Sequence, residues 1–106
     1  MTTVDSSRLR NLRHVLQEQL DQQTAELARL RAHRTSPEQI GLDPQTVTAL
    51  ISTTQRAVAD NTEALRRVTD GTYGTCEKCQ QDIPTERLEI LPHAPYCMPC
   101  QQARNG

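Results

Sequence analysis

Four cysteines carry the most definite chemistry in this sequence. They are Cys76, Cys79, Cys97 and Cys100, and the chain has no others. They form two C-x-x-C pairs with seventeen residues between Cys79 and Cys97. A C-x2-C pair followed after about 15–20 residues by a second is the pattern of a four-thiolate zinc site. Each pair fits one tight knuckle, and two knuckles supply a tetrahedral shell of four sulfurs at about 2.3 Å from the metal. One structural Zn2+ is therefore the expected cofactor. A shell filled by four sulfurs leaves no position for water or substrate, so metal catalysis is not expected and the chain reads as a non-enzyme. The competing readings are a redox C-x-x-C and two disulfides. The first lacks the βαβ context of a thioredoxin-like motif. The second belongs to oxidising compartments.

The other side chains with metal-binding potential are less well placed. His93 lies between the knuckles, where a fifth ligand is unnecessary, and reads as a loop histidine. His14 and His33 fall in a helical stretch without acidic or thiol neighbours at an evident ligand spacing, and read as solvated.

Composition says what must support the cysteines. The chain has 106 residues, 35% hydrophobic, with no Trp, no Phe and only Tyr73 and Tyr96 as aromatics. So few large apolar side chains offset folding entropy poorly by burial alone. A metal cross-link or long paired helices are the usual remedies. The formal net charge is −1, and residues 71–106 set Lys78, Arg87 and Arg104 against Glu77, Asp82, Glu86 and Glu89. That balance argues against phosphate-driven nucleic-acid binding, which needs clustered Lys and Arg. No stretch approaches the ~20 apolar residues of a membrane span. The opening Met1-Thr2-Thr3-Val4-Asp5 lacks the basic and apolar regions of a signal peptide. The expected compartment is the reducing cytoplasm.

Upstream of the cysteines the spacing predicts two helices. The first runs from about Asp5 to Arg34, uninterrupted by Gly or Pro and rich in good helix formers. Leu20 and Leu27 fall at heptad position a, and Leu9, Leu16 and Leu30 at d. Arg13 at a and Gln23 at d make the seam imperfect, and Leu12 widens it. The stretch from Thr35 to Pro44 holds two prolines and Gly41, with a possible helical turn at Ser36-Pro37-Glu38-Gln39. Asp43-Pro44 then caps a second helix, from about Pro44 to Asp70. Ile51, Val58 and Leu65 fall at a, and Val47, Thr54, Asn61 and Val68 at d. Gly71 supplies the left-handed residue that ends it. Matched lengths and a short loop predict an antiparallel coiled-coil hairpin about 40 Å long. Polar Gln23, Thr54 and Asn61 in the seam would fix its register. Periodicity alone leaves pairing between separate chains open. Beyond Thr72, short strands or turns are expected between the knuckles, with one or two helical turns after Cys100.

The cysteines and their surroundings resemble the DksA/TraR family of C4-type zinc-finger proteins. The residues that carry the likeness are Gly71-Thr72-Tyr73-Gly74-Thr75-Cys76-Glu77-Lys78-Cys79, Ile83, Arg87-Leu88-Glu89, Pro92, Ala94 and Cys97-Met98-Pro99-Cys100-Gln101. They cover the last third of the chain. The resemblance implies a globular zinc module with a projecting coiled coil. It also implies binding to RNA polymerase, with the tip entering the secondary channel, and no sequence-specific DNA binding. Three departures stand out. The family's tip carries D-x-x-D-x-A, whereas here Asp43 is followed by Thr46 at the second acidic position and Thr48 in place of alanine. The helix usual after the last cysteine pair is largely missing. The glycine that often follows the second cysteine is Gln80, which costs about 1 kcal/mol of strain if that position is left-handed.

The expected fold class is mainly α: a long antiparallel coiled-coil hairpin over residues 1–70, with its tip at about 35–46, and a small four-cysteine zinc-ribbon-like module over 71–106. The expected function is that of an accessory regulator of bacterial transcription, more readily monomeric than dimeric. The candidate partner contacts are Arg34, Glu38, Asp43, Thr46 and Arg87. For Asp43 a plain helix cap competes with that role, and for Arg87 a structural one. The alternative function is a zinc-stabilised coiled-coil adaptor for a different protein.

Overall fold

The computed structural model describes residues 6–35 and 43–105. Asp5, Gly41, the turn expected at Ser36–Gln39 and the candidate contact Glu38 lie outside them. The described residues form four helices: α1 (Ser6–Thr35), α2 (Pro44–Asp70), α3 (Thr85–Ile90) and α4 (Met98–Asn105). The fold is mainly α, with one isolated antiparallel β-bridge, Thr75 to Asp82, as its β-pairing among these residues.

Helices α1 and α2 pack along their length as the heptads require. Leu30 of α1 packs with Val47 and Ile51 of α2, and Leu16 with Ala64, all in buried positions. At the hairpin's base, next to the cysteine segment, the buried face rotates off the heptad. Leu12, Ala64 and Arg67 are buried there although no seam position predicts it, because residues 73–97 cover that side of both helices. Among the described residues the outer stripe therefore faces the partner helix, while the base faces a third layer as well.

Both ends of α2 are specified locally. At its start Asp43 is extended (φ −76°, ψ 159°), and its Oδ1 accepts the Thr46 N–H at 2.9 Å. Pro44 follows, where its missing N–H costs nothing. At its finish Gly71 adopts φ +81°. The Arg67 carbonyl then accepts N–H groups from Thr72 at 2.9 Å and Tyr73 at 3.1 Å, and Val68 accepts from Gly71 at 3.4 Å. These paired bonds satisfy carbonyls that the helix itself leaves open. They also turn the chain directly into the cysteine segment.

That segment is built on short-range backbone bonds. Ile83 donates to Gly74 and Cys76 to Gln81, both at 2.8 Å, closing a tight loop around the first knuckle. Glu77 donates to Pro95 at 2.9 Å and ties the first knuckle to the approach of the second. Between the knuckles, where the sequence predicts strands or turns, Thr85–Ile90 is helical. Pro84 starts it, Glu86 sits favourably in its first turn, and Leu88 is fully buried. The Tyr73 hydroxyl donates to the Pro92 carbonyl at 2.7 Å in the interior. Burial pushes its phenol up to about 12, with Arg67 opposing the shift, so it remains a hydrogen-bond donor at neutral pH.

Candidate metal centre

The first knuckle is the loop after the Gly71 turn, and the second begins α4. Their convergence brings the sulfurs of Cys76, Cys79, Cys97 and Cys100 within 4.8 Å of one another. The Cys79 and Cys97 sulfurs are 3.7 Å apart. A tetrahedron with bonds of about 2.3 Å has edges of about 3.8 Å, so the arrangement suits one Zn2+. A disulfide needs about 2.05 Å, and all four cysteines are free. Cys76 and Cys97 are buried, and Cys79 and Cys100 half-buried, which places the metal position at the module's flank.

Without a cation the surroundings favour thiolate at Cys76 and oppose it at Cys79 and Cys100. Burial pushes the Cys76 thiol up, but backbone N–H groups of Cys79, Cys97 and Lys78 outweigh it and hold the group at about 6. The Cys79 N–H approaches the Cys76 sulfur at 3.5 Å. Cys100 is pushed the other way, to about 12, first by its hydrogen bond with Cys97 and then by burial. Four sulfurs this close share protons until a cation replaces them. A C4 site of this kind would hold Zn2+ without an open coordination position, and so would act by cross-linking the fold.

Gln80, next to Cys79, has φ +67°, the left-handed region. The strain expected at this position is therefore present. Its N–H donates to the Cys76 carbonyl at 3.0 Å, and its side-chain amide to the Glu77 carbonyl at 3.2 Å. Both bonds hold the knuckle in a conformation that glycine would adopt freely.

Two polar contacts that the sequence does not single out lie around this centre, and the first, through Arg67, ties it to the rod. Arg67 is only 3% exposed. Its Nη1 lies 2.9 Å from Glu77 Oε2, between the first two cysteines, and its Nη2 donates to the His93 carbonyl at 3.3 Å. Arg104 of α4 lies over the Tyr96 ring, 5.3 Å from its centroid. The signal for Arg67 is faint in sequence, since it sits one helical turn before Gly71 and off the heptad.

The candidate partner residues are distributed between two places. Arg34 near the end of α1 and Asp43 and Thr46 at the start of α2 are exposed at the far end of the hairpin, where the chain passes from α1 to α2. Both Asp43 oxygens are engaged by Thr46: Oδ1 accepts its N–H and Oδ2 its hydroxyl, at 2.9 and 2.8 Å. Arg87 is half-buried beside the second knuckle. Its Nε donates to the Tyr96 carbonyl at 3.1 Å, and Nη1 reaches Met98 Sδ at 3.7 Å. Among the histidines, His14 is exposed as expected, but it does have an acidic neighbour, Glu18, one turn away at 3.7 Å. His93 does not join the sulfur cluster.

Comparison with known proteins agrees with this geometry. Residues 71–106 match the model of the prokaryotic dksA/traR C4-type zinc finger. General stress protein 16O of Bacillus subtilis (strain 168) is 61% identical over 31 residues, which are 29% of this chain and 19% of that protein. An uncharacterised protein of Aquifex aeolicus (strain VF5) is 44% identical over 39 residues, or 37% of this chain and 27% of that one. The chain thus matches less than a third of the length of either relative. In three dimensions it is similar to the transcription factor DksA2 from Pseudomonas aeruginosa. The TM-score is 0.81 at 20% identity, over 95% of this chain and 85% of that one. That likeness is one of fold. The finger itself is of the dksA/traR C4 type.

Proposed function

From a dksA/traR-type finger set on the base of a DksA2-like hairpin, we propose that this protein is a DksA-like accessory regulator of bacterial transcription. Its partner is RNA polymerase, and its role is regulatory rather than enzymatic. Cys76, Cys79, Cys97 and Cys100 ligate one structural zinc ion. The hairpin is the effector arm, and the end that carries Arg34, Glu38, Asp43 and Thr46 enters the polymerase secondary channel. A slender two-helix rod can reach through a narrow pore that a globular domain cannot. Arg87 steadies the finger and lies close enough to its surface to contribute to docking. The protein acts in the cytoplasm as a monomer, without reading DNA sequence. Among the described residues no helix is long and apolar enough to cross a membrane, in keeping with that setting.

The observation that carries this reading is the physical union of finger and rod. A C4 module of the dksA/traR type shares one hydrophobic core with the base of a helical hairpin whose far end projects free. Binding of the purified chain to bacterial RNA polymerase tests it, with the secondary channel open and then blocked by a competing insert. Binding that is lost on blocking is the expected result. Undiminished binding would refute insertion, and no binding at all would refute the partner.

A second reading is favoured by one specific feature. With Thr46 closing on Asp43, the described start of α2 offers one carboxylate where the family tip has two. A zinc-stabilised coiled-coil adaptor for another protein would keep the rod and the finger and dispense with that pair. Failure of polymerase to co-purify, with a different protein retained through the hairpin, would select it.

A further inference from the structure

The apolar interior of the hairpin is not continuous. One cluster sits at the base and joins Leu12, Leu16 and Ala64 to the finger through Tyr73, Ile83 and Leu88. A separate one lies toward the far end, where α1 passes into α2, and consists of Leu30, Val47 and Ile51, with Leu27 packed against it. Between them the seam is polar. Asn61 is 1% exposed, and its Nδ2 donates to Gln23 Oε1 at 2.6 Å. Its Oδ1 is buried and has no protein partner among the described residues. The flanking seam residues Leu20, Thr54 and Val58 are only half-buried and belong to neither cluster. An open groove of about 470 Å³ runs beside this layer, lined by Gln19, Gln23 and Asn61 of the rod and by Leu91, Pro92 and His93 at the edge of the finger.

Cooperativity in a helical hairpin passes from layer to layer through shared apolar contacts. A layer with an unmatched buried acceptor, bordered by incompletely packed neighbours, transmits it poorly. Among the described residues the outer cluster is also small and has no third layer over it, whereas the base is held by the finger. Local opening follows such boundaries, since segments with few buried contacts form separate opening units.

We propose that the hairpin consists of two cooperative units that meet at the Gln23–Asn61 layer, so that the outer half opens and bends while the base and finger stay folded. This rests on packing alone and holds whatever the partner is. The polar layer then has two roles. It selects the register, because only one alignment pairs Gln23 with Asn61. It also serves as the hinge line of the projecting arm.

Native-state hydrogen exchange on the full zinc-loaded chain tests the proposal. Amides around Leu27–Arg31 and Leu50–Thr54 should share one opening free energy and one denaturant dependence. They should exchange about tenfold or more faster than those around Leu16 and Ala64, with a step at residues 23 and 61. A smooth gradient toward the far end would mean ordinary fraying and overturn the idea, as would uniform protection. The double variant Gln23→Leu/Asn61→Leu supplies an independent reading. It should slow the outer amides by about tenfold and erase the step. Outer amides that keep their wild-type rate in a folded double variant would also overturn it. If the variant fails to fold, the conservative Asn61→Gln decides instead: by disturbing the 2.6 Å pair it should sharpen the step, and an unchanged profile refutes the hinge.

Discussion

Arg67 and Glu77 form a contact 2.9 Å long between the last turn of the rod and the first zinc knuckle, and the arginine side chain is 4% exposed while the glutamate is 40% exposed. The pair therefore has one member in the interior and one at its edge. Glu77 stands between Cys76 and Cys79, so any movement of the knuckle moves the counter-charge of a buried guanidinium. Loss of Glu77 leaves that cation, among the described residues, with the His93 carbonyl alone. Glu77→Ala should cost about 1–3 kcal/mol, read as a lowered urea midpoint with zinc still bound. Arg67→Met keeps the packing and removes the charge, so it should cost less than Arg67→Ala. Equal losses in the two variants would show that the arginine stem has no packing role.

Metal removal should act on more than the finger. Cys76 and Cys97 belong to the same core as Leu12, Leu16 and Ala64. Chelation or Cys97→Ser should unfold residues 71–106 and loosen the base of the hairpin, while α1 and α2 retain much of their helicity. Circular dichroism and amide NMR on loaded and stripped protein measure this. Metal analysis of protein purified under reducing conditions should find one zinc per chain, and its absence would remove the site.

The backbone at Gln80 offers a change that should stabilise. Its φ of +67° is strained for any residue with a Cβ. Gln80→Gly relieves that strain and loses part of the benefit to unfolded-chain entropy, leaving a gain of about 0.5–1 kcal/mol. The measurable result is slower zinc loss to a chelator and a higher unfolding midpoint. A loss of stability would mean that the Gln80 side-chain bond to the Glu77 carbonyl outweighs the strain.

Asp43 gives a pH dependence with a definite sign. The Thr46 backbone N–H, and then the Thr46 hydroxyl, hold its carboxyl below the ordinary 3.8. A folded-state value below the unfolded one means that the cap contributes fully above pH 3.8 and is lost as pH falls through the depressed value. The first turn of α2 should therefore fray only in that acid range, and carboxyl NMR should show Asp43 titrating below a free aspartate. Thr46→Val should move the titration back toward 3.8. If Asp43→Asn keeps the helix start but abolishes regulation, the carboxylate has a role beyond capping.

Much of this architecture is legible in the sequence, and the gaps have physical causes. The cysteine spacing identifies the sulfur cluster because two short knuckles constrain geometry locally. The heptads identify the hairpin, and Gln23 and Asn61 declare a polar layer in it, since both problems reduce to the pattern on one helix face. Arg67 escapes because its burial depends on residues 77 and 93, which reach it only through the fold. Residues 85–90 escape because a single turn and a half of helix is too short for periodicity, although Pro84 and Glu86 mark its start. The assignment of Asp43 as a cap is visible in advance, but the second bond from the Thr46 hydroxyl is not.

The Arg67 carbonyl accepts from both Thr72 and Tyr73, so the rod passes into the finger with no spare residues between them. Mechanically this is a welded joint at the foot of a lever. With α2 extending about 40 Å, a tilt of roughly 5° at that joint would sweep the far end by about 3.5 Å. That is a whole hydrogen bond's length at the far end. Side chains around Gly71 thus set the aim of a distant tip that they never touch, and, on the function proposed above, substitutions there should alter activity without altering a single residue at the tip.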